Sequence, residues 1–158
     1  MATWHEFTQQ APGLAAHVFD RFEAHRHKTM ATIRADGGPR ISGTEVAIQG
    51  GQMYLGGMVG SRRFADLRRD PRIAIHSASE DPDVWTGDAK VSGRGIEIAD
   101  EAGKAAFRAD AGELPPGDFE LFRIELDEAV SVRLNEARDG LIVDMWRDGG
   151  EVRTFHRQ

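Results

Sequence analysis

Five arginines fall within thirteen positions of the stretch GSRRFADLRRDPR, residues 60–72. That density of guanidinium groups can bind phosphate, coat a solvated helix end, or grip nucleic acid. Ser61 reads as the N-cap of a short helix running to Arg69, which Asp70-Pro71 ends because proline lacks the amide donor. Arg62 and Arg63 then lie in the first turn, where free amides point outward and phosphate is favoured. Cations placed there are unfavourable for the helix itself and are tolerated when an anion binds. Arg68, Arg69 and Arg72 lie at the other end, where cations complement the helix dipole. The cluster therefore divides into two ligand candidates and three helix-terminal residues.

A second stretch, PRISGTEV (39–46), reads as a strand with Ser42, Gly43 and Thr44 in its middle. Small polar residues weaken a strand that only packs. They suit a backbone approached by a flat ligand, or equally a bend in a barrel.

Other chemistries find less support. His5, His17, His25, His27, His76 and His156 are scattered. His25 and His27 would share a face in a strand, but no carboxylate is fixed beside them by spacing, so no metal site is expected. The chain has no cysteine, which removes thiolate ligands and cysteine nucleophiles. It carries no Gly-x-Ser-x-Gly elbow and no Walker loop. GGMVG (56–60) lacks dinucleotide-binding spacing. Glu80, Asp81 and Asp83 read as solvated carboxylates of a turn.

The 158 residues suffice for a single domain, with an N-terminal helical segment over 1–26 and a C-terminal hairpin over 136–158. A net charge of −6 and the lack of aromatics interleaved with the arginines argue against nucleic acid. With no signal-peptide pattern and no apolar run near ~20 residues, a cytoplasmic protein off the membrane is expected.

The elements that must position the arginines follow from periodicity. Phe7, Leu14, Val18 and Phe22 predict a helix within 5–26, with Pro12 close to its start. Strands are predicted at 28–35, 39–48 and 51–57, joined as hairpins at Asp36–Pro39 and Gly50-Gly51. Further strands are predicted at 72–78 and 87–100, the latter with a bulge or bend at Gly93 or Gly95. A helix over 100–112 is capped by Asp100 and closed by Gly112, and PPGD (115–118) is a loop. One or two strands over 119–135 and a hairpin around Asp148-Gly149-Gly150 complete a mainly β antiparallel barrel, closed or partly closed, with flanking helices.

The order ATIRADGGPRISGTEV, MYLGGMVGSRRFADLRRDPRIAIH, GDAKVSGRGIEIAD resembles the pyridoxamine 5′-phosphate oxidase-like family of FMN- and deazaflavin (F-420)-binding proteins, over residues 25–135. The resemblance implies a six-stranded antiparallel split β-barrel, a homodimer, and cofactor sites at the subunit interface. It implies that Arg63, helped by Ser61 and Arg62, contacts the cofactor phosphate. The strand Ile41–Thr44 would lie along the ring system, and Met58 would join the cofactor-binding set. The implied activity is oxidation or reduction of a small organic substrate with F-420 or FMN, in which the cofactor carries the redox chemistry. A non-catalytic carrier, or a haem-binding relative using His76 or His156, is the competing expectation. Trp146 reads either as an interface aromatic near the cofactor or as core. The longer basic motifs of true pyridoxamine phosphate oxidases are missing, which counts against vitamin-B6 oxidation.

Overall fold

The computed structural model describes residues 1–112 and 117–158. Thr3 opens the chain's first helix, α1 (Trp4–Gln10), with a capping box. Its side chain accepts from the Glu6 amide, and Glu6 returns the bond to the Thr3 amide. The single helix expected over 5–26 is two. Ala11 leaves the helical region at φ −142°, ψ 62°, and α2 (Pro12–Glu23) begins with proline in its first turn. Proline pushes the residue before it out of α geometry but suits a first helical position, so the break falls there. Phe7, Leu14, Val18 and Phe22 are all buried, as their spacing predicts.

Strand β1 (Lys28–Ile33) pairs antiparallel with β2 (Pro39–Thr44), and β3 (Ala47–Gln49) with β4 (Gln52–Gly57). The strand predicted over 39–48 is thus divided. The chain changes partners at Glu45-Val46, where the buried Thr44 hydroxyl donates to the Glu45 carbonyl. Helix α3 (Arg62–Arg69) follows with Ser61 at its N-cap, then β5 (Arg72–His76) and β6 (Asp88–Glu97). The register of β6 on its neighbour shifts between Ser92 and Gly93. A Cβ on Gly93 would lie 1.9 Å from the Glu125 carbonyl oxygen, so only glycine fits the bulge.

Helix α4 (Glu101–Asp110) is capped by Asp100, whose side chain accepts from the Gly103 amide. It ends at Ala111 in extended geometry (φ −77°, ψ 144°) rather than on Gly112. Of the expected PPGD loop, Pro115 and Pro116 lie outside the described residues. Residues 119–135 form one long strand, β7 (Glu120–Leu134), followed by the hairpin β8 (Leu141–Arg147) and β9 (Arg153–Arg157).

The described strands make one antiparallel sheet in the order β2-β1-β5-β6-β7-β4-β3, with β8 added to β7 and β9 to β8. The architecture is mainly β with helices around it. Among the described residues the strands number nine rather than six, and the sheet path does not close. The six-strand run β2 to β4 is extended by short β3 and by the terminal hairpin. β7 explains how one sheet splits. Along one edge its first half pairs β4 and its second half pairs β8, and Ala2 bridges Leu126 between them. Phe7, Phe22, Phe64, Leu55, Leu126 and Trp146 are fully buried in one core. No described helix is long and apolar enough to cross a membrane.

Candidate functional site

Helix α3 lies across the β1–β2 hairpin, anchored by Phe64 and Leu67, both buried. Phe64 stacks on Phe122 of β7 with ring centroids 4.9 Å apart. The approach of α3 to β4 requires Gly57. A Cβ there would stand 2.7 Å from Arg63 Nη2 and 2.8 Å from Phe64 Cε2.

At its N-terminal end, α3 sends Arg63 back to the edge strand, where Nη1 donates to the Gly43 carbonyl oxygen at 2.5 Å. The guanidinium carbon lies 4.9 Å from the centroid of the Phe64 ring. Arg63 Nε is buried and has no hydrogen-bond partner, and desolvation pushes the guanidinium below its ordinary pKa. Ser61 occupies the N-cap position, yet its hydroxyl makes no cap bond and is buried without a partner. Among the described residues neither Arg62, which is exposed, nor Arg63 forms an ion pair. The first turn of α3 therefore gathers two cations, uncapped amides and two orphaned buried polar atoms. A buried donor left unmade costs ~1–3 kcal/mol, which an anion with several acceptor oxygens would recover.

The other arginines of the cluster are occupied. Arg68 bonds Glu97 through two nitrogens and also reaches Glu120, which holds its pKa above the ordinary value. Arg69 donates to the Ile33 carbonyl and to Asp66, and Arg72 pairs with Asp70 at 2.6 Å. Arg68, Arg69 and Arg72 thus pair with acids, whereas among the described residues Arg62 and Arg63 do not.

On β2, Ile41 and Gly43 share one face while Ser42 and Thr44 share the other. Gly43 meets Arg63, and Ile41 is exposed. Ser42 is half-buried, and Thr44 is buried and engaged with its own chain. Met58 stands exposed in the loop between Gly57 and α3. The arrangement thus joins Arg63 to Gly43, with Ser61 and Arg62 at the same helix start, and leaves Ile41 and Met58 exposed.

Two contributors were not among the candidates. Gly57 was visible only as part of a glycine-rich run, and its role depends on how closely a helix packs. Asp66 reads from sequence as a mid-helix acid. It is 3% exposed and accepts from Arg40 Nε at 2.6 Å, Thr32 Oγ1 at 2.8 Å and Arg69 Nη2 at 3.0 Å. These bonds, that of Arg40 foremost, hold its pKa down to about 2.

Several expectations change. His25 and His27 lie before β1 rather than on a strand. They face different acids, Glu80 at 2.9 Å and Glu45 at 3.6 Å. Glu80 is therefore no free turn carboxylate, since it also lies 3.5 Å from Arg21. Trp146 is core, with its ring centroid 4.6 Å from that of Phe7 and its Nε1 donating to Gln10 Oε1. His76 Nδ1 donates to the Ser77 carbonyl, and His156 is exposed on β9. Among the described residues no three His, Asp or Glu side chains are grouped to hold a metal ion. A cavity of about 520 Å³ between the start of α2 and the β8–β9 hairpin contains none of the arginine-site residues. The Arg63 site lies at the sheet edge, on β2.

Comparisons with known proteins agree with this frame. No curated protein sequence matches the chain. Among solved structures, an FMN-binding, pyridoxamine 5′-phosphate oxidase-related protein of Nostoc punctiforme PCC 73102 superposes with a TM-score of 0.62 at 13% identity, covering 92% of this chain and 96% of that one. PhzG of Burkholderia lata 383, solved with tetrahydrophenazine-1-carboxylic acid, gives 0.62 at 14% identity, covering 96% and 91%. An F420 reductase gives 0.51 at 18% identity, covering 65% and 87%. At these identities the likeness is one of fold. The family model for pyridoxamine 5′-phosphate oxidase matches residues 14–133, from α2 to the end of β7, a span that includes the whole arginine site. By that match the chain belongs to the pyridoxamine 5′-phosphate oxidase family.

Proposed function

We propose that this chain is a flavin-type oxidoreductase that holds the phosphate of F-420 or FMN on the first turn of α3 and acts on a small organic substrate. The observation that carries the reading is Arg63. Its half-buried guanidinium has no carboxylate among the described residues and an unpartnered buried Nε, and the Ser61 hydroxyl at the same helix start is orphaned too. Relatives of the same fold described as FMN-binding and as an F420 reductase support the cofactor class.

Either cofactor supplies hydride transfer when bound. The chain's residues supply its grip. Arg63 and Arg62 donate charge-assisted N–H bonds to phosphate oxygens, and guanidinium geometry allows two parallel bonds to one phosphate. Ser61 Oγ and the uncapped amides of α3 add neutral donors. Ile41–Thr44 offer backbone and small side chains at the sheet edge, and the exposed Ile41 and Met58 offer apolar surface to a ring system. The site lies on the edge strand β2, where a second copy of the chain would complete its wall in a homodimer.

Titrating the apo-protein with F-420 and with FMN, followed by fluorescence, tests the reading. Affinity for one of them tighter than ~100 μM, about −5 kcal/mol, is expected. Failure of both to reach it overturns the proposal. A non-catalytic carrier would use the same cradle, and turnover of a reduced cofactor with an added acceptor separates carrier from enzyme.

A further inference from the structure

Arg63 and Asp66 stand three residues apart on α3. Residues at that spacing are neighbours on one helix face, and opposite charges there pair by default. In this molecule they do not. Asp66 is turned into the protein, where Thr32 Oγ1 and Arg40 Nε both donate to Oδ2 and Arg69 Nη2 donates to Oδ1. Arg63 reaches instead to the Gly43 carbonyl on the same β1–β2 hairpin. Arg40 makes the shortest of the three bonds to Asp66 and comes from β2, the strand that carries Gly43 three residues on.

We propose that Arg40 is a positioning residue of the phosphate site: by holding Asp66 against the β1–β2 hairpin, it keeps that carboxylate from neutralising Arg63. The inference rests on the phosphate-site reading above. A carboxylate paired with Arg63 would compete with the incoming phosphate for the same N–H donors. Thr32 and Arg69 remain on Asp66 when Arg40 is lost, so the fold keeps most of its fastening. Oδ2 then keeps only the neutral Thr32 hydroxyl, and its charge becomes available to Arg63.

A charge insulator differs from a purely mechanical latch in one measurable way. A latch fails when either partner is removed. An insulator fails only when Arg40 is removed while Asp66 stays charged. The readout is phosphate discrimination at pH 7, the affinity for FMN divided by that for riboflavin. The same ratio is taken for F-420 against its deazaflavin lacking the phosphate. Both are measured by fluorescence titration on full-length protein.

Arg40→Gln is expected to lower the ratio about tenfold, the scale of one competing charge-assisted bond. Arg40→Lys, which keeps a cation on Asp66, is expected to hold it. Asp66→Asn, which removes the competitor, is expected to keep the ratio within roughly threefold of the unmodified chain or raise it. The double variant Arg40→Gln/Asp66→Asn is expected to return the ratio lost by Arg40→Gln. A ratio unchanged by Arg40→Gln, or a loss in Asp66→Asn that matches it, overturns the proposal. So does a double variant that stays low. A ratio near one in the unmodified chain overturns the phosphate-site reading itself, and this inference with it.

Discussion

Arg63 Nη1 donates to the Gly43 carbonyl oxygen at 2.5 Å, which joins the first turn of α3 to the edge strand β2. One carbonyl is a poor match for a guanidinium with five donors, so the contact is easily exchanged for phosphate. Replacing Arg63 with Ala should weaken FMN or F-420 binding about ten- to hundredfold, the range of a hydrogen bond to a charged group. Riboflavin binding should change far less, because riboflavin lacks the phosphate. Arg63→Lys should keep part of the affinity, retaining charge but losing the planar fork. Fluorescence titration of the three proteins with both ligands checks this. Equal losses for FMN and riboflavin would remove the phosphate from the account.

Gly57 sets how closely α3 can lie on β4. Its missing Cβ leaves room for Arg63 Nη2, which can swing aside, and for the Phe64 ring, which cannot, because that ring is fully buried on Phe122. Gly57→Ala should cost ~1–3 kcal/mol, the usual penalty for overpacking, and should also weaken cofactor binding by displacing the helix turn. Urea unfolding and a cofactor titration measure the two effects. A stable variant with unchanged affinity would show that the close approach is incidental.

What the sequence made legible follows from the kind of signal involved. Helix α3 and the split within its arginines could be read because a cap, a proline and the helix dipole all act locally. A bulge or bend at Gly93 or Gly95 was legible because a glycine inside an alternating strand has few other uses, but only the pairing with β7 assigns it to Gly93. The break at Ala11 was hidden behind a helical apolar period that α1 and α2 share, since both bury one face on the same core. The division of 39–48 into β2 and β3 was hidden because the strand changes partners, a property of topology rather than of residues 39–48 themselves. Asp66 and Arg40 escaped notice for a similar reason. They are 26 positions apart, and only the packing of α3 on the hairpin makes them a pair.

Trp146 is fully buried between α1 and β8, with its ring on Phe7 and its Nε1 bonded to Gln10. Trp146→Ala should lose ~3–5 kcal/mol of stability, as large aromatic truncations in cores do. Trp146→Phe, which removes the hydrogen bond and part of the ring, should lose less. Neither should change the cofactor affinity of the folded protein. A selective loss of flavin binding in Trp146→Phe would return this residue to the site.

Asp66 should also shape stability at low pH. Its carboxyl is held at about 2 in the folded protein, against an ordinary value of 3.8, chiefly by the bond from Arg40. A depressed acid stabilises the fold while it is ionised in both states. Its contribution is therefore complete above about pH 4 and is lost as pH falls toward 2. The difference corresponds to roughly 2 kcal/mol. Other paired carboxylates titrate in the same window, so the informative quantity is the gap between the unmodified chain and Asp66→Asn. That gap in unfolding free energy should be constant from pH 7 to about 4 and should shrink toward pH 2. In Arg40→Gln the carboxyl rises toward its ordinary value, so the contribution should be smaller and its loss complete at a higher pH. A gap that stays constant down to pH 2 would mean that Asp66 is not held ionised by its partners, and would weaken the case that Arg40 commands its charge.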